Sequence, residues 1–221
     1  MPIDALKGAA RTSIRCRPIA ETPSASTLRY YEANAATYAA TTLAMDTSAR
    51  LSRFVSLLPA GGRILDAGCG AGRDLRQFRL AGLQALGLDL SPSLAEIARQ
   101  RSGCEVVVGN LLAPPALLPF DGVWAMASLL HVERHLIGDA LASLSSLMKQ
   151  GAFLFCSVKK GAGETTDVMG RFFTLYEEAQ WAAHLRQAGF EILEMTDEPP
   201  SENSAVGSVA PGWIASVARL P

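Results

Sequence analysis

Apolar positions along this chain follow two alternating rhythms. From residue 63 onward, short apolar runs of strand length alternate with stretches whose apolar residues fall three and four apart. The short runs predict strands at 63–67, 84–88, 105–108, 122–127, 152–158, 190–196 and 213–219. The other stretches predict helices. One covers 72–81 and stops at Gly82. A second opens with Ser91 as N-cap and Pro92 at the first helical position, with Leu94, Ile97 and Ala98 on its inner face. A long third helix carries Leu136, Ile137, Ala140, Leu141, Leu144, Leu147 and Met148 on one face, with a turn at Gly151. A fourth runs through Ala188, with Thr174 and Glu177 at capping-box spacing ahead of it and Gly189 after it. Pro114, Pro115 and Pro119 predict an irregular connection, and 159–170 reads as a glycine-rich loop. Strand–helix alternation implies a mostly parallel α/β sheet with helices on both faces, closed by a hairpin at one edge.

Ahead of this region, residues 27–58 read as helical. Tyr31, Ala35 and Tyr38 share one helix face. A second run with Leu51, Phe54, Val55, Leu57 and Leu58 ends at Pro59 and the Gly61–Gly62 pair. Residues 1–26 have little periodicity and hold Pro2, Gly8, Pro18 and Pro23. They are expected to be a poorly ordered extension of a single domain at 27–221.

Composition narrows the function classes. The chain has 221 residues, 49% apolar and 19% charged, so a packed core is expected. A net charge of −1 provides no basic field for a nucleic-acid backbone, so no nucleic-acid partner is expected. The four cysteines (Cys16, Cys69, Cys104, Cys156) form no CxxC pair and have no histidine at metal spacing. They read as free thiols of a cytoplasmic protein, with no metal site. No apolar run approaches ~20 residues, so no membrane span is expected. Lys7, Arg11, Arg15 and Arg17 precede no apolar signal core, so secretion is not expected. Oligomeric state is not readable.

The chemistry concentrates at the predicted strand ends. In open parallel sheets a ligand sits beyond the C-terminal ends of the strands. The first strand ends in Asp66 and runs into Gly68, Gly70 and Gly72, a turn that lets backbone N–H groups approach a ligand. The second ends in Asp89, a carboxylate able to accept hydrogen bonds from ribose hydroxyls. The third ends ahead of Asn110, Leu111 and Leu112, an amide and aliphatic walls suited to adenine. His131 follows the fourth strand and is the candidate general base, with Glu133 next. Arg73 at a helix start is unfavourable for the dipole and predicts a local acidic partner.

These motifs (64–74, 87–91, 109–112 and 120–133) resemble the class I S-adenosylmethionine-dependent methyltransferases, in particular the bacterial small-molecule branch. The segment from Tyr31 resembles the lid of that branch, Ser128 to Val132 its segment after the fourth strand, and Lys159 to Thr174 its loop after the fifth. The resemblance implies a Rossmann-like doubly wound sheet of seven strands, the last antiparallel. It implies S-adenosyl-L-methionine as cofactor, S-adenosyl-L-homocysteine as product, and in-line methyl transfer to a small-molecule acceptor. Asp66 and the 68–72 loop would hold the amino-acid end of the cofactor, completed by Arg73 and Asp74. Asp89 would bind the ribose, Asn110 and Leu111 the adenine, with Tyr31 and Tyr38 as cover. The same expectation takes in Ala67, Cys69, Leu90, Ser91, Leu112, Met126, Ala127 and His131. Acceptor-site candidates are Tyr30, Lys159, Arg171, Phe172, Phe173 and Trp213. If Lys159 and Arg171 line the pocket, an anionic acceptor is favoured. Two alternatives stay open. One is a cofactor-binding sensor or partner subunit without turnover. The other is a nicotinamide-dependent oxidoreductase, disfavoured because the glycines are spaced G-x-G-x-G and Asp66 would repel a pyrophosphate.

Overall fold

A computed structural model describes residues 23–199 and 212–221. The sheet has the spatial order β3-β2-β1-β4-β5, then β9 and β8. β1 (Arg63–Ala67), β2 (Gln84–Asp89), β3 (Glu105–Val108), β4 (Phe120–Met126) and β5 (Met148–Lys160) are parallel. β9 (Trp213–Arg219) enters antiparallel between β5 and β8 (Glu191–Glu198). The closing hairpin is therefore as expected, with β8 at the edge.

The strand sequences explain these places. Ile64 and Leu65 point to opposite faces of β1 and both are fully buried. Leu154, Phe155, Cys156 and Val158 are all buried in β5, as a central strand requires. α2 (Ser48–Val55) and α3 (Arg73–Leu80) pack on one face around Trp124. The Trp124 ring stacks on Phe155 with centroids 3.9 Å apart and meets the edges of Phe54 and Phe78. α5 (Ile137–Ser146) and α6 (Glu178–Gln187) cover the opposite face. α4 (Pro92–Ser102) packs on α3, where Gly72 is required. A Cβ there would lie 2.9 Å from Ala98 Cα, and its φ is +79°.

Several boundaries differ from the sequence reading. α1 spans Pro23–Thr42, four residues earlier than expected, with a non-helical Asn34 inside it. The rest of the predicted extension lies outside the described residues, as do Pro200 and Asn203 of the polar loop. The long third helix stops at Ser146, and Met148 begins β5, paired with Phe120. β4 ends at Met126 because Ala127 takes a left-handed φ of +53°. The 159–170 loop contains β6 (Glu164–Thr166), which pairs with β7 (Phe172–Tyr176). The sheet thus gains a hairpin beyond the expected seven strands. Thr174 does not cap a helix. It lies inside β7 and donates through Oγ1 to the Val132 carbonyl, while Glu177 precedes α6 with no side-chain cap bond. β4 pairs with β5 as far as Ser157, and β7 pairs with β5 two residues further on, at Lys159 and Lys160. The added hairpin therefore sits at the end of β4, against the candidate site.

Candidate active site

A cavity opens beyond the C-terminal ends of β1, β2, β3 and β4, under α1. Its interior holds about 150 Å³, and it opens to solvent at its mouth. Twelve of the expected cofactor contacts line it. They are Tyr31 and Tyr38 from α1, Gly68 and Gly70 from the first turn, Asp89, Leu90 and Ser91 after β2, Asn110, Leu111 and Leu112 after β3, and Ala127 and His131 after β4.

Asp89 is held with its carboxylate organised by backbone. Its Oδ2 accepts the Gly70 N–H at 2.8 Å and its Oδ1 the Ser91 N–H at 2.9 Å. Burial raises its carboxyl above the ordinary value, against the lowering effect of those N–H groups. Each oxygen keeps a lone pair for a further donor. Asn110 folds its own turn, Oδ1 accepting from Leu112 N at 2.9 Å, and its NH₂ has no partner among the described residues. Gly68 has φ +84°, and a Cβ there would fall 2.3 Å from Ser128 Cβ. The turn can therefore run beside the β4 segment only as glycine.

Seven expected contacts lie outside the cavity wall: Asp66, Ala67, Cys69, Gly72, Arg73, Asp74 and Met126. Asp66 is buried under the turn. Burial, then the Asp74 charge, push its carboxyl well up, so it acts as a support beneath the loop. Gly72 serves helix packing. Arg73 finds the predicted acidic partner in Asp74, through Nε–Oδ1 at 2.7 Å and Nη2–Oδ2 at 2.8 Å. Asp74 also accepts from Thr47 Oγ1 at 2.7 Å and Trp124 Nε1 at 3.0 Å. Burial would raise its carboxyl, but the Arg73 pair and the two neutral donors outweigh it and hold it low.

His131 is fully engaged. Its Nδ1 lies 2.6 Å from the Phe172 carbonyl, which can only accept, so Nδ1 carries the hydrogen. Nε2 then accepts the Tyr31 O–H at 2.9 Å. Burial, opposed by the Phe172 bond and aided by the Arg171 and Lys159 charges, pushes the imidazole down to about 4. It is neutral at pH 7 and a weak base, which fits holding Tyr31 better than removing a proton.

None of the acceptor-site candidates lines the cavity. They gather behind it instead. The Phe173 ring meets His131 at 4.9 Å between centroids and Lys159 Nζ at 4.2 Å. Lys159 Nζ is 5.9 Å from the Trp213 ring. Arg171 lies 5.0 Å over Tyr30 and pairs with Asp167. Phe172 contributes backbone, its N–H donating to Thr27 Oγ1 at 2.8 Å.

Other residues were not read from sequence as belonging to the site. Leu28, Leu94 and Leu136 line the cavity, as does Thr27. Glu32 fastens α1 to the start of α4. Its carboxylate accepts from Ser91 Oγ, from Ser93 Oγ at 2.7 Å and from Ser93 N at 3.1 Å. A glutamate on the helix face next to Tyr31 was the available signal.

Fold and site together define an α/β protein with a nucleoside-type pocket at the switch point of its sheet. A family model described as a methyltransferase domain matches residues 64–151. The O-methyltransferase cnsE of Penicillium expansum is 32% identical over 169 residues, covering 67% of this chain and 60% of that protein. This chain thus spans about 60% of that relative's length. A ubiquinone biosynthesis O-methyltransferase of Xylella fastidiosa is 38% identical over 171 residues, covering 66% and 67%. Among solved structures, the 1,6-didemethyltoxoflavin-N1-methyltransferase of Burkholderia thailandensis, with bound 1,6-didemethyltoxoflavin and S-adenosylhomocysteine, superposes with a TM-score of 0.69. It is 21% identical and covers 99% of this chain and 93% of its own, a likeness of fold. The chain belongs to the class I S-adenosylmethionine-dependent methyltransferases.

Proposed function

We propose that this protein transfers a methyl group from S-adenosylmethionine to an oxygen of a small-molecule acceptor. The observation that carries the reading is Asp89, its carboxylate fixed by the Gly70 and Ser91 N–H groups at the wall of a cavity beyond the strand ends. The residues present suit this cofactor. Asp89 has lone pairs left for ribose hydroxyls, Asn110 an NH₂ with no partner among the described residues for the adenine edge, and Leu111 and Leu112 supply apolar walls. Gly68 and Gly70 leave room for the amino-acid end. When bound, the cofactor supplies an activated sulfonium methyl, whose transfer leaves the neutral thioether S-adenosylhomocysteine.

The chain's own contribution is orientation and exclusion of water, worth up to ~7–11 kcal/mol of barrier in favourable cases. Residues 23–42 act as the lid. Tyr31 is held by His131, Glu32 by the start of α4, and Tyr38 lies against the turn, with Gly70 beneath its ring. His131 is a positioning residue here. Glu133, in the cavity wall, is the remaining acidic group near the end of β4. Cys69, Cys104 and Cys156 are free thiols, which supports a reducing, cytoplasmic setting. No helix of the described residues is long and apolar enough to cross a membrane.

Calorimetry with S-adenosylmethionine and S-adenosylhomocysteine tests the cofactor. Micromolar or tighter binding is expected, weakened at least tenfold by Asp89→Ala. Absent binding in the unaltered protein, or binding of a nicotinamide dinucleotide in its place, refutes the reading. Radiolabelled methyl transfer to a panel of phenols separates an enzyme from a cofactor sensor.

A further inference from the structure

The methyl acceptor's own recognition group can be read from the charges behind His131. Two cations stand there, and their circumstances differ. Arg171 is already neutralised: Nε and Nη2 reach Asp167 Oδ2 at 2.8 and 2.7 Å, and the guanidinium lies over Tyr30. Lys160, next in sequence, pairs with Asp197. Lys159 has no hydrogen-bond or carboxylate partner among the described residues, although it is partly buried. Its ammonium rests on the faces of Phe173 and Trp213. Burial and the neighbouring Arg171 charge pull it below the ordinary lysine value.

Position gives this ammonium meaning. Lys159 stands near the C-terminal end of β5, in register with Leu175 of β7 and Trp213 of β9. Ligands of such sheets lie beyond these ends. One ring, Phe173, separates it from His131 and hence from the cavity wall. Aromatic faces compensate an ammonium for only part of its lost water. An anion arriving here displaces no existing partner, whereas at Arg171 it would compete with Asp167. Trp213, partly exposed beside the ammonium, offers apolar surface to a ring that carries the anion, whereas Phe173 is buried with Lys159, His131 and, at 5.3 Å, the Arg171 guanidinium around its ring.

We propose that Lys159 is the specificity-determining residue for the acceptor, seating the carboxylate of a hydroxylated aromatic acid beside Trp213 at the end of β5. This rests on the methyl-transfer reading above. It separates the two cations that the sequence left as a pair and assigns the role to Lys159 alone.

The test uses the full chain saturated with S-adenosylhomocysteine. Hydroxybenzoates and their neutral carboxamides are titrated by calorimetry into the unaltered protein and into Lys159→Met. The unaltered protein is expected to bind a carboxylate at least tenfold more tightly than its amide, and Lys159→Met to bind the two alike. S-adenosylhomocysteine affinity is expected to be equal in both proteins, since Lys159 lies outside the cavity wall. Arg171→Met is expected to retain the carboxylate preference. Equal binding of acid and amide by the unaltered protein, binding of neither, or a preference that survives in Lys159→Met overturns the assignment. In all three cases retained S-adenosylhomocysteine binding leaves the methyl-transfer reading standing. Failure of S-adenosylhomocysteine to bind removes both.

Discussion

Lowering the pH from 7 to 5 is expected to cost this fold about 2 kcal/mol through His131 alone. In the unfolded chain the imidazole titrates at 6.5, and in the fold burial pushes it down to about 4. Between those values the unfolded chain binds the proton and the folded chain does not. Stability is therefore complete above the unfolded value and falls as the pH drops toward the folded one. At pH 5 proton binding favours the unfolded chain about thirty-fold, which is the ~2 kcal/mol stated. Protonation would also set a second N–H against the Tyr31 hydroxyl, which now donates to Nε2. The comparison protein is His131→Gln, which keeps a polar group but does not titrate. Urea unfolding followed by tryptophan fluorescence at pH 7, 6 and 5 measures both. The stability advantage of the unaltered protein should shrink by about 2 kcal/mol across that range. Asp66 and Asp89, raised by burial, respond to pH in the opposite sense, but they do so in both proteins and cancel in the difference. An advantage that stays constant to about 0.5 kcal/mol would mean that His131 titrates alike folded and unfolded, and the argument would fail.

Other substitutions separate effects that the sequence runs together. Gly68→Ala places a Cβ 2.3 Å from Ser128 at φ +84°, whereas Gly70→Ala meets only the Tyr38 ring at 3.5 Å. The first should lose cofactor binding and well over 2 kcal/mol, the second about 1 kcal/mol of backbone strain; equal thermal shifts would contradict this. Glu32→Gln removes a charge from the start of α4 and should speed hydrogen exchange of residues 25–42 about tenfold. Unchanged exchange there would show that Glu32 does not hold α1 down. Asp74→Ala strips Arg73, Thr47 and Trp124 of a shared acceptor and should cost ~3 kcal/mol or more in urea unfolding. A loss under ~1 kcal/mol would argue against a buried hub.

β1, β3 and β9 have the bounds read from sequence because glycines mark their ends, Gly62 and Gly68 around β1, Gly109 after β3 and Gly212 before β9. Met148 misled because an apolar residue after Leu144 and Leu147 continues a helical face as well as it opens a strand; only its pairing with Phe120 decides. The β6–β7 hairpin was hidden for a related reason. Phe172, Phe173 and Thr174 are all buried, so β7 lacks the alternation that betrays a half-exposed strand. At the site, the places of Asp89, Asn110 and the two tyrosines in the cavity wall were legible because strand ends and a helix face have known directions. Asp66 lies buried beneath the turn and outside the cavity wall, a placement not readable from sequence, which cannot tell a turn's lining from its support. The unpaired state of Lys159 was out of reach for another reason. It depends on Asp167 choosing Arg171, a matter of spatial competition.

β9 lies between β5 and β8, so the sheet is completed from its middle by the strand that comes last among those described. During synthesis β5 and β8 both emerge before the strand that joins them. Until residues 213–219 leave the ribosome, each presents an open row of backbone donors and acceptors. The newborn chain is thus most adhesive just before residues 213–219 join the sheet. A chain stopped at residue 199 is expected to sediment as aggregate where the full chain stays dispersed, and a dispersed, cooperatively melting truncation would show that β8 closes the sheet without β9.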